Sequence, residues 1–548
     1  MSNSSVEVIP IGGLGEIGKN MTAFICGNDL LIVDAGLMFP ENDMLGIDYI
    51  IPDYRHLTGK GYTVRGIIMT HGHEDHTGAI QHVAQDFPAP IYATPLTAGL
   101  LEVKLRQARL LDRVTLNRFK AGDVLKLGPF DIQTFHVCHS IPDCVGFGIN
   151  TPVGLFVHTG DFKFDSTPVD RWVTDFAALA SFAQRGVLAL FSDSTRADQP
   201  GWTPSESVID SAFDRVFKDA PHRIIVSTFA SLISRIQQVA WAAERHGRKV
   251  AFLGASMQDN VRMAQNLGYL DLPSNLIITL DDARRLPQNQ VVLVVTGAQG
   301  EPSAVLNRVA TGRHQQLNIV PGDTVIISAH PIPGNEEMVG RTINRLVQRG
   351  ANVIYDPIEA VHVSGHASQE EQKLMLNLVR PKFFVPVHGE LRHLTAHGNL
   401  AEMVGLPRQN IAVVENGTKL TFTADGQMII GERIPGGYVF VDGGSVGDVH
   451  PGVIRERETL GNNGVVIVNV VIERATGKIL CGPDIVSHGF VMSGHAVLES
   501  AQGALRRVLD EPLARNGHLR AAVEETLSKL FYGETRRRPN LYVFVNEV

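Results

Sequence analysis

The sequence predicts an α/β protein in three parts: a sandwich of two sheets, a parallel α/β unit inserted into it, and a small α+β domain at the C-terminal end. Three observations predict it. Over the first two hundred residues, short apolar runs follow one another, punctuated by Gly, Asp and His. From about Pro204, strand and helix patterns alternate, which is the signature of a parallel α/β unit. A Gly-rich stretch at 434–447 then reads as a linker to a last segment with its own strand, helix and strand pattern.

The strand runs of the first part are 6–11, 22–26, 30–34, 66–70, 91–93, 132–136, 147–150, 155–158 and 187–192. Many strands with few helices between them read as stacked sheets. In the second part, strand 223–228 leads into helix 231–246, 249–253 into 257–267, 290–296 into 303–310, and 324–328 into 335–348, with 352–355 closing the series. Helix 369–379, strand 382–387 and a hairpin-like stretch over 411–430 follow. The expected division is 1–207 with 370–430 for the sandwich, 208–369 for the insert, 431–447 for the linker and 448–548 for the last domain. That domain reads as strand 465–473, a turn at 475–478, helices 494–509 and 519–532, and strand 541–545.

Composition narrows the function classes. A hydrophobic fraction of 44% with 19% charged residues is ordinary for a soluble globular protein and excludes large-scale disorder. The cysteines Cys26, Cys138, Cys144 and Cys481 are too few and too scattered for a disulfide framework or a thiolate zinc site, which fits a reducing, cytoplasmic setting. The N-terminus lacks a basic region followed by an apolar run, so no secretory signal is expected. The apolar run 465–472 is strand-length, short of the ~20 residues of a membrane span, so no membrane partner is expected. A net charge of −8 argues against loose binding to nucleic acid, because phosphate contacts need Lys and Arg, yet it leaves room for a local basic groove. Residues 448–548 carry 12 basic and 12 acidic residues, and this neutral surface over apolar elements fits subunit contact as a homodimer or homotetramer.

The strongest chemical signal is His71-Gly72-His73-Glu74-Asp75-His76, directly after the apolar run 66–70. Three imidazoles and two carboxylates on one turn can point several ligands at one spot. Imidazole and carboxylate without thiolate suits zinc or manganese in a hydrolytic site. Asp34, His139, Asp161 and His388 also lie at or just past the ends of apolar runs. Any one of them alone would read as a hydrogen-bonded structural residue; beside the six-residue cluster they read as its partners.

These residues resemble the metallo-β-lactamase superfamily, whose αββα sandwich holds two metals at the sheet edges. The α/β block from Pro204, the segment Ser192-Asp193-Ser194-Thr195-Arg196, the segment from His362 to Ser368 and the closing Pro386-Val387-His388-Gly389-Glu390 resemble its β-CASP nuclease branch. The run from Gly12 to Asn20 and the separate C-terminal domain make the chain similar to the ribonuclease J family along nearly its whole length. The resemblance implies that His71, His73 and His139 bind one divalent ion, that Asp75, His76 and His388 bind another, and that Asp161 bridges them, with Asp34 orienting the ligand turn from behind. It implies Zn2+, with Mn2+ as the alternative. Two such cations flank a phosphodiester and lower the pKa of bound water to ~7. Asp75, Asp193 and His366 are the implied catalytic residues. His366 is placed to balance the phosphoryl charge and is also a candidate for protonating the departing oxygen. Asp193 is either its partner carboxylate or a support of the metal shell.

Two segments are expected to hold the RNA backbone. His362, Val363, Ser364, Gly365 and His366 offer small residues and N–H groups for a phosphate nest. Ser231, Leu232 and Ile233 open a helix, where Ser231 also reads as a plain N-cap. The resemblance implies a pocket for a 5′-monophosphate and therefore 5′-to-3′ exonuclease action on single-stranded RNA, with endonuclease activity also possible, in mRNA decay and rRNA processing. The competing functions are a small-molecule metallo-hydrolase, which has no need of a large insert, and a non-catalytic RNA-binding subunit, against which the full ligand set argues.

Two features read as decoys. The run from Gly13 to Gly18 matches the dinucleotide fingerprint, but the residues after it read as strand, turn and strand instead of helix, so a tight turn under the metal site accounts for it better. Arg536-Arg537-Arg538 reads first as solvated surface. Met38 and Phe39 read either as core or as apolar partners for a base.

Overall fold

The structure, a computed structural model, describes residues 5–41, 43–332, 334–476, 478–490, 495–510 and 519–548. Internal contacts divide the chain into two units, Met1–Phe39 with Tyr49–Val439, and Pro40–Asp48 with Phe440–Val548.

In the first unit the apolar runs build two stacked sheets. The eight-stranded sheet runs in the order Met428–Arg433, Thr418–Thr423, Ser5–Gly12, Met21–Cys26, Asp29–Val33, Thr63–Ile68, Ile91–Ala93 and Leu116–Arg118. The six-stranded sheet runs Phe383–Val387, Val187–Asp193, Gly154–His158, Val145–Thr151, Phe130–His136 and Val124–Leu127. The core between them is aromatic, with Phe24 edge-on to Phe156 and to Phe191 at 5.8 Å and Phe156 edge-on to Phe422 at 4.9 Å, the geometry that ring quadrupoles favour.

The insert is a five-stranded parallel sheet in the order Lys249–Leu253, Val291–Val295, Ile224–Ser227, Thr324–Ile327 and Asn352–Tyr355. Strands such as Val291–Val295 are apolar at every position and wholly buried, the pattern of strands covered by helices on both faces. The fold class is therefore as the sequence predicts.

In the second unit a sheet ordered Ile479–His488, Val465–Ile472, Asn540–Glu547 packs beneath helices His495–Asp510 and Leu519–Thr535. Val466, Val468, Val470 and Ile472 face the helices, as period-two alternation requires.

Several expectations need correction. The stretch read as a linker carries strands Tyr438–Asp442 and Ser445–Val446, and two of its glycines, Gly443 and Gly444, form the turn between them. The hairpin expected over 411–430 is Thr418–Thr423 with Met428–Arg433, because Ile411 instead bridges to Phe384. Helices Pro95–Gln107, Val208–Asp219, Leu391–Met403 and Pro451–Asn463 and strands Tyr49–Pro52, Leu116–Arg118, Val124–Leu127 and Ile479–His488 were not apparent in the pattern. Gly477 of the expected turn and Gly494 of the expected helix lie outside the described residues. After Ser5–Gly12 the chain enters the antiparallel strand Met21–Cys26 and no helix, which removes the dinucleotide reading of the glycine run. Among the described residues no helix is long and apolar enough to cross a membrane.

Candidate metal centre

Strand ends deliver the site. Thr63–Ile68 runs into Thr70 and His71, and the chain then turns at His73 into a single helical turn, Glu74–Thr77. Asp34 closes Asp29–Val33 with φ +63°. His139 follows Phe130–His136, Asp161 follows Gly154–His158, and Asp193 ends Val187–Asp193. His388 follows Phe383–Val387 with φ +52°.

These ends converge. The ring nitrogens of His71, His73 and His139 lie within 4.8 Å of one another, as do ligand atoms of Asp75, His76, Asp161 and His388, and those of Asp161, Asp193, His366 and His388. Asp161 stands at the centre: Oδ2 is 3.2 Å from His76 Nε2 and 3.7 Å from both His71 Nε2 and His139 Nε2, while Oδ1 is 2.8 Å from His388 Nδ1. Asp75 Oδ2 lies 3.6 Å from His76 Nε2 and 3.4 Å from His388 Nε2.

The imidazoles are oriented from behind. Asp34 Oδ1 accepts the Thr70 N–H at 2.8 Å, and Oδ2 accepts the Thr70 hydroxyl at 2.8 Å while lying 2.8 Å from His76 Nδ1, which turns His76 Nε2 into the site. His139 Nδ1 lies 2.7 Å from the Gly365 carbonyl, a group that only accepts, so Nδ1 carries the hydrogen and Nε2 keeps its lone pair. His366 Nδ1 lies 2.8 Å from Asp193 Oδ2, whose other oxygen accepts the Thr195 N–H at 2.9 Å.

Electrostatics divides the candidate ligands. Burial pushes His71 and His139 well below the usual imidazole range and takes His73 down to about 4, the neutral state a metal ligand needs. Burial would lower His76 and His388 too, but the charges of Asp161 and Asp75 outweigh it, raising His76 well above its ordinary value and His388 to about 10. Asp161 is held far below the carboxylate range despite its burial, by the cationic His388 and His76.

The donor set fits a cation. Both Asp161 oxygens and His388 Nε2 are buried without a hydrogen bond of good geometry, although several donors surround them. With His73 Nδ1 also 3.0 Å from His71 Nε2 and 3.2 Å from His139 Nε2, these nitrogens and oxygens crowd close enough for one cation to draw on several of them. The donors are nitrogen and oxygen, the mixture that binds divalent ions such as zinc or manganese.

Of the expected backbone-binding residues, Leu232 and Ile233 are core side chains, and their N–H groups already donate to the Phe229 and Ser231 carbonyls. The helix begins at Ile233 and has no side-chain cap, so Ser231 is a half-buried turn residue and not its N-cap. In the other segment Val363 is buried, and the His366 N–H donates to Ser364 Oγ at 3.2 Å, which withdraws that N–H from a phosphate nest. His362 Nδ1 is buried without a hydrogen bond, and its ring meets His330 edge-on at 4.6 Å. Met38 is core, whereas Phe39 is 48% exposed.

Three residues of the site were missed. A Cβ on Gly36 would lie 1.6 Å from the Asp75 carbonyl oxygen, so only glycine lets the Asp34 turn approach the ligand turn. Glu371, fully buried, accepts the N–H groups of Ser368, Phe164 and Thr203 at 2.9, 2.8 and 2.7 Å and ties the His366 segment to the sandwich. Asn416 donates to Glu16. The Ser368-to-Glu371 spacing of a capping box was the available signal for Glu371; Asn416 had none.

Comparison with known proteins agrees with this geometry. Residues 52–182 match the family described as beta-lactamase superfamily domain, 221–346 ribonuclease J, beta-CASP domain, 350–413 Zn-dependent metallo-hydrolase RNA specificity domain, and 452–548 ribonuclease J C-terminal domain. The chain is 38% identical to ribonuclease J2 of Bacillus subtilis over 100% of its own length and 99% of that protein's. The chain belongs to the ribonuclease J family. Within the family it is also 42% identical to ribonuclease J of Thermus thermophilus, covering 96% of this chain and 91% of that one. A crystal structure of a protein of unknown function from Enterococcus faecalis shares the fold, with a TM-score of 0.56 and 16% identity over 76% of this chain and 100% of that one. Residues 221–346 of the insert thus match the β-CASP domain that the sequence resemblance implies.

Proposed function

We propose that the chain is a 5′-to-3′ exoribonuclease that starts from 5′-monophosphate ends of single-stranded RNA, with endonucleolytic cleavage as a second mode, in cytoplasmic mRNA decay and rRNA processing. Membership of the ribonuclease J family carries the coarser statement, metal-dependent hydrolysis of RNA ester bonds. The observation that carries the reading is Asp161, a buried carboxylate among four imidazoles with neither oxygen in a hydrogen bond of good geometry. In this reading His71, His73 and His139 would hold one ion and Asp75, His76 and His388 a second, with Asp161 shared between them; zinc would suit the imidazole-rich set, with manganese the alternative.

Bound divalent ions supply Lewis-acid polarisation of the phosphoryl oxygens and a water that ionises near neutral pH. The chain's own groups do the rest. Asp193 takes the His366 Nδ1 hydrogen, so the imidazole is held in one orientation with Nε2 left to face the substrate as hydrogen-bond donor or proton source. His366 is also supported from the Thr203 hydroxyl, which donates to its carbonyl at 2.7 Å. Ser364, His362 and Ser231 remain the residues for the 5′-phosphate, with Phe39 exposed to stack on a base. In the second unit Tyr542, Phe544 and Val486, 48, 53 and 50% exposed, share the sheet face turned away from the helices and favour assembly into a homodimer or homotetramer.

The test is degradation of one RNA carrying a 5′-hydroxyl, monophosphate or triphosphate, with products resolved by size. Mononucleotides released preferentially from the monophosphate form are expected. Internal fragments alone, at equal rates from all three ends, contradict the exonuclease reading.

A further inference from the structure

The glycine run that reads as a decoy lies against the site. Its backbone is folded back on itself: Gly13 has φ +87°, and a Cβ there would lie 2.2 Å from Asn20 Oδ1, so the bend requires glycine. From this bend two arms reach the ligands. At one end, Asn20 uses its backbone N–H and its side-chain Nδ2 to grip the Asp75 carbonyl at 2.9 and 3.1 Å, with Nδ2 also 3.1 Å from His76 Nε2. At the other, the Gly15 N–H donates to the Gly389 carbonyl at 2.9 Å and the Gly389 N–H to the Gly13 carbonyl at 3.1 Å, one residue beyond His388.

The bend is held by a buried polar cluster. Glu16 Oε1 accepts from Asn416 Nδ2 at 2.8 Å and from the Gly13 N–H at 3.3 Å, and lies 3.1 Å from Lys19 Nζ. Asn416 Oδ1 in turn accepts the Leu14 N–H at 2.9 Å. Lys19 is fully buried, with Glu16 on one side and the face of the Tyr438 ring 4.4 Å away. Burial pulls the Lys19 amine down, and the Glu16 charge works against that. A charged pair inside a domain is a poor way to gain stability, since desolvation offsets most of the attraction, but it fixes one arrangement strongly.

The two arms reach Asp75, His76 and the residue after His388, and Asp75, His76 and His388 share one cluster, whereas among the described residues no hydrogen bond joins the run to His71, His73 or His139. We infer that the 12–20 loop, locked by Glu16, Lys19 and Asn416, is a clasp that sets the geometry of the Asp75/His76/His388 ion selectively, with Glu16 its positioning residue. The inference rests on the two-ion reading above. It accounts for a buried ion pair and four glycines that neither nucleotide binding nor core packing explains, and for why an asparagine 400 residues away belongs to the same device.

The test is a metal titration of the stripped full-length chain with Mn2+ and with Zn2+, read as ions bound per chain by native mass spectrometry, beside the melting temperature of the stripped protein. Two variants are compared with wild type: Glu16→Gln, and Glu16→Gln with Lys19→Met, which removes both charges together in case the single change leaves an unpaired buried amine and fails to fold. Wild type is expected to take two ions. The variants are expected to hold one at wild-type affinity and the other about 10- to 100-fold more weakly, the usual cost of losing support behind a ligand. Variants that bind both ions as wild type does, or that lose affinity for both equally in step with melting temperature, overturn the clasp. Wild-type protein that takes fewer than two ions overturns the reading of the site, and the inference with it.

Discussion

Replacing His76 by alanine is expected to lower the rate of RNA hydrolysis by about 10³-fold or more, since a metal's several kcal/mol of transition-state stabilisation is lost at ~1.4 kcal/mol per decade. His76 carries the largest effect because its two nitrogens serve different partners. Nδ1 is 2.8 Å from Asp34, which sets the ring plane, and Nε2 is 3.2 Å from Asp161 and 3.6 Å from Asp75. Alanine removes a ligand and also leaves Asp34, Asp75 and Asp161 as neighbouring carboxylates without the cation that balances them in the stripped protein. The measurement is steady-state hydrolysis of 5′-monophosphorylated RNA beside far-UV circular dichroism. An intact fold with activity within tenfold of wild type contradicts the role assigned to His76.

The second large effect belongs to the other face of the site. His366→Ala is expected to reduce kcat by about 10²- to 10⁴-fold, the range for a positioned proton donor or acceptor. Metal content should stay at the wild-type level, because His366 is 20% exposed at the rim of the cluster and its Nδ1 is held by Asp193 at 2.8 Å, with Asp161 farther off at 3.9 Å. Asp193→Asn should reproduce much of the loss: the amide preserves the shape but exchanges a charged acceptor for a neutral one against the His366 Nδ1 hydrogen, 2.8 Å away, and Nε2 loses its fixed orientation. Inductively coupled plasma mass spectrometry on the same samples used for kinetics separates the cases. Loss of activity together with loss of metal would make His366 a ligand instead of a proton-handling residue.

What the sequence disclosed follows physical lines. The candidate ligands were legible because the cluster His71 to His76 follows a buried apolar run and Asp34, His139, Asp161 and His388 lie at or just past the ends of others, a recurrence that structural hydrogen bonding alone does not require. The parallel insert was legible for the same reason, in runs such as Val291–Val295. Amphipathic helices with polar outer faces were harder: Val208–Asp219 buries only Ile209, Ala212, Phe213 and Phe217, and its charged positions blur into loop composition. The stretch 431–447 misled because glycine marks a tight hairpin as readily as a linker, and Gly443 is used for the former. Contacts between distant segments had no local signature. Glu16 with Asn416 and Gly36 beneath Asp75 are decided by tertiary approach, and nothing in their neighbours announces it, while the capping-box spacing marks Glu371 without announcing Phe164 and Thr203. Ser231 shows the converse error, a residue type right for an N-cap placed one position too early to be one.

The net charge of −8 also reads differently beside the geometry. Asp34, Asp75, Asp161 and Asp193 are gathered around the imidazoles, where bound cations offset them, so part of the apparent repulsion toward RNA is the means of holding the ions that attract it.

The central claim is that the cluster around Asp161 is a divalent-metal centre that hydrolyses RNA. The most direct measurement strips the chain with chelator, confirms metal content by mass spectrometry, and follows RNA hydrolysis as Mn2+ or Zn2+ is returned in half-equivalent steps. Hydrolysis is expected to be absent in the stripped protein and to rise with the ions bound, saturating at two per chain. Undiminished hydrolysis by the metal-free chain would contradict the account.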